Sequence, residues 1–365
     1  MRVLKLAACG FLLSALFCIS ARAQVAARPE SSASPQTPAP EVATPPPASG
    51  TEIDSQPRTD FQVTVRSLFN QESFQQLDDI AQAITSQKSR FLGGAWKLNY
   101  FYLTLQDPGS LTATDAAWSA HFERLQRWVA QNPHSITPRV VLAGAYIQFA
   151  WKARGNGYAQ GVTQEGWKLF NERMEQAEKT LEDAASVATP DPQWYCDMHT
   201  VAMVENWGRE STDALLATGS SAEPGYFYLY NAHAFSLLPR WGGKAGEAEA
   251  FAKSISDSIG GAEGDYIYFV IALDDDCCGA DTTADSAMPA ISWDRVKLGF
   301  AALEKLYGST NRELNALAFM ALRAGDTEFA QQLFARIGDD WDQNVWRTKE
   351  RFETSKSSLS LSADK

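Results

Sequence analysis

Apolar residues recur three and four positions apart along most of this chain, the spacing that places side chains on one face of an α-helix. The clearest case is segment 167–184, where charged residues occupy the opposite face. Its apolar face consists of Trp167, Phe170, Met174, Ala177, Leu181 and Ala184. A stripe of this kind packs into a core far more often than it holds a cofactor. Segment 138–153 is apolar nearly all round, so we expect a central helix that neighbours cover on several sides.

Glycine and proline mark the joints between the predicted helices. Two joints organise the pattern, residues 153–158 and 237–243, because each places an arginine and an aromatic residue beside glycines at the end of an apolar helix. A third joint, Gly325-Asp326, predicts a tight helical hairpin in which the glycine ends one helix and the aspartate caps the next.

The predicted fold is all-α. Segment 322–334 resembles the turn between the two helices of a tetratricopeptide repeat, but a full repeat of roughly 34 residues is not visible elsewhere. We therefore expect an array of antiparallel helical hairpins, resembling a degenerate tetratricopeptide-type repeat of about a dozen helices. Segments 226–230 and 266–271 also have the aromatic and β-branched content of strands. Neither has a hairpin turn or a partner strand beside it, so helix is the favoured prediction.

The first 23 residues have the composition of a signal peptide. Arg2 and Lys5 form a basic region, residues 7–20 are apolar, and residues 21–23 form an A-x-A cleavage site. The apolar run is too short for a stable membrane span, so the mature chain is expected to lack a transmembrane helix. Lipoprotein anchoring at Cys9 is the less favoured alternative, because the lipobox-like residues precede the apolar run. We predict a periplasmic or secreted protein that is cleaved after Ala23.

The rest of the chain divides by composition into a linker, a domain and a tail. Residues 24–60 are rich in proline, alanine and serine and contain half of the 16 prolines, so we expect a disordered tether. Residues 61–350 form the predicted single helical-repeat domain, and residues 351–365 form a polar tail that we expect to fray.

Charge excludes some classes of partner. The formal net charge is −12, and it becomes −15 without residues 1–23, which hold three cations and no acid. An acidic protein is poorly suited to nucleic acid or to anionic lipid surfaces. A protein or peptide is the expected partner, although acidity also serves solubility alone.

Three cysteines remain in the mature chain, Cys196, Cys277 and Cys278. In an oxidising compartment they are disulfide candidates: Cys196 with either neighbour, or the neighbours with each other. A zinc site of these thiols with His199 is the alternative, but adjacent cysteines rarely both bind one zinc ion. No metal or cofactor is therefore predicted.

Catalytic motifs are absent from the sequence. The histidines stand in no Ser-His-Asp or H-E-x-x-H context, and no phosphate-binding loop appears. Glu205, Glu223 and Asp265 are carboxylates without evident pairing, and the acidic segment 274–285 fits a calcium loop poorly. No catalytic residue is assigned, and whether the protein is an enzyme stays open.

A combination of short motifs resembles a known bacterial family. The motifs are Gly94-Ala95-Trp96-Lys97-Leu98 with Phe101-Tyr102, residues 150–158, Trp194-Tyr195 with Met198, and residues 237–243. Together they resemble the family called domain of unknown function 4034, over roughly residues 61–275. The resemblance implies an exported or envelope-associated helical protein similar to tetratricopeptide-like proteins. It implies no reaction, because the family has none assigned.

The two arginine joints give the candidate binding residues. Arg154, Tyr158, Trp167, Arg240 and Trp241 are predicted to line a concave groove in which two guanidinium groups meet an acidic partner. The structural alternative, which we favour, is that each arginine caps helix-end carbonyls and stacks on its aromatic neighbour. The expected function is a binding or scaffold module in the bacterial envelope. The alternative is a hydrolase of envelope polymers that uses carboxylates in the groove.

Overall fold

The structure, a computed structural model, describes residues 56–155, 159–278 and 291–362, without the side chains of residues 160, 240, 275–278 and 360–362. Its residues form helices and no strand, which confirms the all-α prediction. The sixteen α-helices of the described part are α1 Gln56–Asn70, α2 Phe74–Ser86, α3 Lys97–Leu105, α4 Asp115–Gln131, α5 Thr137–Arg154, α6 Gln164–Val187, α7 Pro192–Val204, α8 Arg209–Ala222, α9 Phe227–Ser236, α10 Glu247–Ile259, α11 Gly261–Cys278, α12 Trp293–Tyr307, α13 Asn311–Ala324, α14 Thr327–Ile337, α15 Gln343–Trp346 and α16 Lys349–Ser362.

Several helix ends lie where their capping residues predict. The Thr114 and Asp191 side chains accept hydrogen bonds from the first-turn N–H groups of α4 and α7. Gly325 ends α13 in the left-handed conformation at φ 74°, and Asp326 caps α14 by accepting from the N–H of Phe329 at 3.2 Å. The predicted hairpin at this joint is therefore confirmed, as is helix for the two segments that also resembled strands.

Neighbouring helices pack in antiparallel pairs, most extensively α5 with α6, α11 with α12, and α13 with α14. Helices that are two positions apart in chain order also contact each other, for example α5 with α7 and α7 with α9. This pattern is consistent with the predicted helical-repeat array. Helix α5 is buried on almost every side, as its uniform apolarity predicts, whereas α6 is buried only along its apolar stripe.

The array curves until distant parts of the chain meet. A loop between α2 and α3, residues 88–96, which we call the closure loop, contacts α12, more than two hundred residues later. It also contacts the start of α9, where the Arg90 guanidinium and the Trp96 indole both donate to the carbonyl oxygen of Gly225, at 3.1 and 3.0 Å. The loop therefore joins the amino-terminal helices to the carboxy-terminal half.

Two predicted boundaries are wrong. Helix α1 begins at Gln56, inside the predicted linker 24–60, and it buries Val65 and Phe69. The predicted frayed tail 351–365 is helical to Ser362, because Phe352 is fully buried against other aromatic rings. The domain therefore extends beyond the predicted limits at both ends. The remainder of the linker, and the predicted signal peptide of residues 1–23, lie outside the described residues.

Within residues 56–155, 159–278 and 291–362, no helix combines the length and the apolarity that a bilayer crossing requires.

Candidate functional site

The arginine and aromatic residues predicted for the groove do meet in part. The Arg154 guanidinium carbon lies 5.4 Å from the ring centre of Trp167 and equally far from that of Trp151. Trp241 contacts the same Trp151 edge-on, with ring centres 6.5 Å apart. Tyr158 and the side chain of Arg240 lie outside the described residues.

Arg154 makes the interactions that its structural role requires. Its Nη1 donates to the carbonyl oxygen of Gly155 at 3.2 Å, at the end of α5. Burial lowers the pKa of its guanidinium, which remains cationic in any ordinary buffer. The helix-end and stacking role is therefore present, and the predicted role in binding an acidic partner stays a prediction.

Cys196 is a buried cysteine that is free within the described residues, and the disulfides predicted for it with Cys277 or Cys278 stay predictions because those side chains lie outside the described residues. Burial, together with the nearby carboxylates of Asp197 and Asp191, raises the pKa of its thiol well above the usual range. The side chains of Cys277 and Cys278 lie outside the described residues, so a bond between them stays a prediction.

The histidine of the alternative zinc site is engaged elsewhere. His199 Nε2 shares a hydrogen bond of 3.0 Å with His233 Nδ1, and burial lowers the pKa values of the two rings to about 3 and about 4. In the part of the chain that the structure describes, no three histidine, cysteine or acidic residues are placed to hold one metal ion.

The three carboxylates considered for catalysis have separate partners. Glu223 pairs with Lys88 at 2.8 Å, and Asp265 lies 3.9 Å from Arg295. Glu205 accepts from the indole of Trp207 at 3.0 Å. They do not form a catalytic pair.

The structure contains a cleft that the sequence did not predict. This central cleft has a volume of about 170 Å³ and lies where the closure loop meets α1, α3, α9, α11, α12, α13 and α15. Its polar lining consists of Arg58, Asn99, Tyr100, Tyr228, Asn231, Tyr266, Asp274, Arg312, Glu313 and Asn344. Clefts of this kind, largely apolar with a few converging polar groups, are the usual sites of small ligands.

Arg58 enters the central cleft from α1. Its Nη1 donates to the hydroxyl of Tyr100 at 3.3 Å and its Nη2 to the carbonyl oxygen of Leu92. Burial by itself would lower the pKa of the guanidinium, but Tyr100 and the Glu313 carboxylate raise it above the ordinary value. The cation is therefore held in place by the closure loop and by a tyrosine on α3.

Three residues that line the cleft each carry a buried polar atom without a hydrogen-bond partner in the described protein: the Tyr266 hydroxyl, Asn231 Oδ1 and Arg58 Nε. Tyr266 is 0% exposed and Asn231 is 7% exposed. A buried polar group that lacks a partner costs roughly 1–3 kcal/mol. Three such groups on residues around one cavity are a concentrated cost, and a ligand would offset it where these side chains turn toward the cleft.

The closure loop fixes the position of Tyr266. Gly93 and Gly94 have φ values of 81° and 77°, a conformation that side-chain-bearing residues rarely adopt. A Cβ at Gly94 would lie 2.4 Å from the Tyr266 hydroxyl oxygen. Glycine is needed here both for the backbone turn and for the close approach of the ring.

A polar network supports the cleft from behind. Asn99 Nδ2 donates to Gln193 Oε1 at 3.2 Å, and the Tyr226 hydroxyl donates to the same oxygen at 2.6 Å. The Gln193 amide nitrogen donates to Asp197 Oδ1 at 2.8 Å. Burial raises the pKa of Asp197 to about 8, so this carboxyl is mainly protonated at neutral pH.

The sequence did carry weak signals of this site. Asn99 and Asn231 interrupt otherwise apolar and aromatic helices, and a buried amide requires a partner. Arg58 was hidden because proline-rich composition assigned it to the linker. Tyr228 and Tyr266 were hidden because buried tyrosines are common in helical cores.

Comparison with known proteins supports the family resemblance. The model of the family described as "Domain of unknown function (DUF4034)" matches residues 62–209. The match contains the motifs at residues 94–98, 150–158 and 194–195, whereas the motif at residues 237–243 lies outside it. The search of curated proteins and the search of solved structures found no match.

Proposed function

We propose that this chain, whose residues 62–209 match the model of the family described as "Domain of unknown function (DUF4034)", is an exported helical binding module whose ligand occupies the central cleft. The observation that carries the proposal is the group of unpaired polar atoms on Arg58, Asn231 and Tyr266 around one cavity. Natural proteins leave few buried polar groups unpaired, and those that remain often mark functional positions.

The size of the cleft favours a small ligand over a protein surface. Stable protein interfaces spread over about 800 Å² of each partner's surface, whereas a cleft of about 170 Å³ has room for about one ring or one side chain. The sequence favoured a protein or peptide partner, which would have to insert a single side chain or a chain end here. A small molecule is the simpler occupant.

The hydrolase alternative receives less support. Of the two carboxylates in the cleft, Glu313 belongs to a capping box and accepts from the backbone N–H of Thr310 at 2.7 Å. Asp274 also has an interaction within the protein. A glycosidase needs two carboxylates free to act on opposite sides of one bond, and this arrangement does not supply them.

Export is proposed from the sequence alone, on the basic region, apolar run and A-x-A site of residues 1–23. Expression of the full chain in a Gram-negative host, followed by intact-mass measurement of the periplasmic fraction, tests it. A mature chain that begins at Gln24 is expected. Retention of Met1 in the cytoplasmic fraction would contradict export.

Binding in the cleft is tested by equilibrium dialysis of the protein against a bacterial extract of molecules below about 1 kDa. Ala316 lines the cleft, and Ala316→Phe is designed to occupy it. The control is Ala301→Phe, at an exposed position of α12. Compounds enriched by the wild type and the control, but not by Ala316→Phe, support the proposal. Equal enrichment by all three proteins, or none by a folded wild type, would refute it.

A further inference from the structure

We infer that the central cleft selects a neutral, polyhydroxylated ligand with a single ring, of the monosaccharide class. This inference rests on the proposed function and specifies its ligand. It follows from the volume of the cleft, the state of its charged groups, and the kind of hydrogen bond that its unpaired groups require.

The volume limits the ligand to about one ring. A cavity of about 150 Å³ is known to accept one benzene molecule, and the central cleft has a volume of about 170 Å³. A six-membered ring with small substituents therefore fills it, whereas a disaccharide or a peptide of several residues would extend out of it.

The charged groups of the cleft balance one another in number and each makes at least one interaction within the protein, so they favour a neutral ligand. Arg58 donates to Tyr100 and to a backbone carbonyl oxygen, and Glu313 accepts from Thr310. Arg312 and Asp274 each have an interaction within the protein as well. The lining contains two cations, Arg58 and Arg312, and two carboxylates, Asp274 and Glu313. Their charges are equal in number, so the charge of a charged ligand would be buried without an extra opposite charge to balance it.

The unpaired groups require both donors and acceptors from the ligand. Asn231 Oδ1 can only accept, Arg58 Nε can only donate, and the Tyr266 hydroxyl can do either. A hydroxyl group supplies one donor and two acceptor positions, so neighbouring hydroxyls on one ring meet all three needs without adding charge.

The apolar part of the lining suits the faces of such a ring. Phe227, Phe269 and the rings of Tyr100 and Tyr228 lie around the cavity. Aromatic rings pack well against C–H surfaces, while their hydroxyl groups keep a polar edge. The lining therefore combines flat apolar walls with directional polar groups.

The test compares probes that share a ring and differ in charge. D-glucose, D-galactose and D-mannose are the neutral probes, the uronate and the 2-amino sugar of the same configuration are the anionic and cationic matches of each, and L-serine is a zwitterionic probe without a ring. Isothermal titration calorimetry on the mature chain measures each Kd. At least one neutral sugar is expected to bind about tenfold or more tightly than both of its charged matches.

Two variants show whether binding occurs in the cleft. Tyr266→Phe removes the unpaired hydroxyl and should weaken binding of the neutral sugar by roughly three- to tenfold, the effect of one neutral hydrogen bond. It should also raise the Tm of the ligand-free protein, which shows that the variant is folded. Tyr195→Phe is the matched control, because Tyr195 is buried on α7 but does not line the cleft.

Each other result overturns the inference. Equal or tighter binding of a charged sugar, or binding of L-serine alone, would make the ligand class wrong. If Tyr266→Phe weakened the binding of that charged sugar or of L-serine, the cleft would remain the binding site and the proposed function would stand. If no probe bound to a folded wild type, the ligand class would be wrong, and the dialysis experiment would separately decide whether the cleft binds anything.

Discussion

Replacement of Asp197 by asparagine is expected to stabilise the protein increasingly as pH rises. Asp197 is 4% exposed, and its Oδ1 accepts from the Gln193 amide at 2.8 Å. Its Oδ2 has no partner in the described protein. Asparagine keeps the shape and the accepting Oδ1, but it does not ionise.

The magnitude follows from proton linkage. Burial raises the pKa of Asp197 from 3.8 to about 8, so the folded protein retains a proton that the unfolded chain releases between these values. Stability from this group is therefore fully present below pH 3.8 and is lost as pH rises toward 8, by about 1.4 kcal/mol per pH unit. The interval from 3.8 to 7 then corresponds to about 4 kcal/mol at pH 7.

The net gain at pH 7 is smaller than this figure. The asparagine N–H₂ group buries one donor more than the protonated carboxyl that it replaces, and a buried unpaired donor costs roughly 1–3 kcal/mol. We therefore expect Asp197→Asn to raise the free energy of unfolding by about 1–3 kcal/mol at pH 7. Near pH 4 the variant should be less stable than the wild type.

Urea unfolding at one-unit intervals from pH 4 to pH 8 measures this effect. The difference in free energy of unfolding between variant and wild type should rise with pH at about 1.4 kcal/mol per unit. Asp294→Asn is the control, because water reaches this carboxylate, which is 92% exposed. A difference that is independent of pH for Asp197→Asn would refute the argument, because Asp197 would then be ionised in the folded protein.

Three further predictions concern packing and burial. Gly94→Ala should lower the free energy of unfolding, measured in urea, by about 2–5 kcal/mol, because the added methyl group overpacks against Tyr266 and also strains the backbone. Gly325→Ala is the control: Gly325 has a similar φ but lies in open space, so this variant should show the backbone strain alone. Equal losses in the two variants would contradict a clash with Tyr266. Iodoacetamide should modify Cys196 only after denaturant unfolds the chain, as followed by peptide mass mapping, and rapid labelling of the native protein would show an accessible thiol. Phe352→Ala should cost about 3–5 kcal/mol in the same urea assay, whereas a loss below about 1 kcal/mol would mean that the final helix is frayed.

The helices themselves were largely predictable because their signals are local. The stripe at 167–184 gives the buried face of α6, and the caps at Thr114, Asp191 and Asp326 lie at the starts of their helices. These features depend on residues within one or two turns of each other. Composition gave the wrong domain boundaries at the two ends. There, α1 and α16 are held by buried aromatic residues that lie within polar sequence.

The candidate site was not predictable in the same way, because its parts are distant in sequence. Arg58 and Glu313 both approach Gly93, although about 250 residues separate them along the chain. The sequence instead indicated the arginine joints, and the described part of one of them, around Arg154, forms a helix-end cluster.

The sequence by itself determined the helical class, the positions of most helix ends and a family resemblance, which the family model matches over residues 62–209. Each depends on short-range periodicity, capping or contiguous motifs. Only the tertiary structure decided that the array closes through residues 88–96 and leaves a polar cleft there. Whether a buried Tyr266 or Asn231 finds a partner depends on helices that meet only when the chain is folded, and no local pattern encodes that meeting.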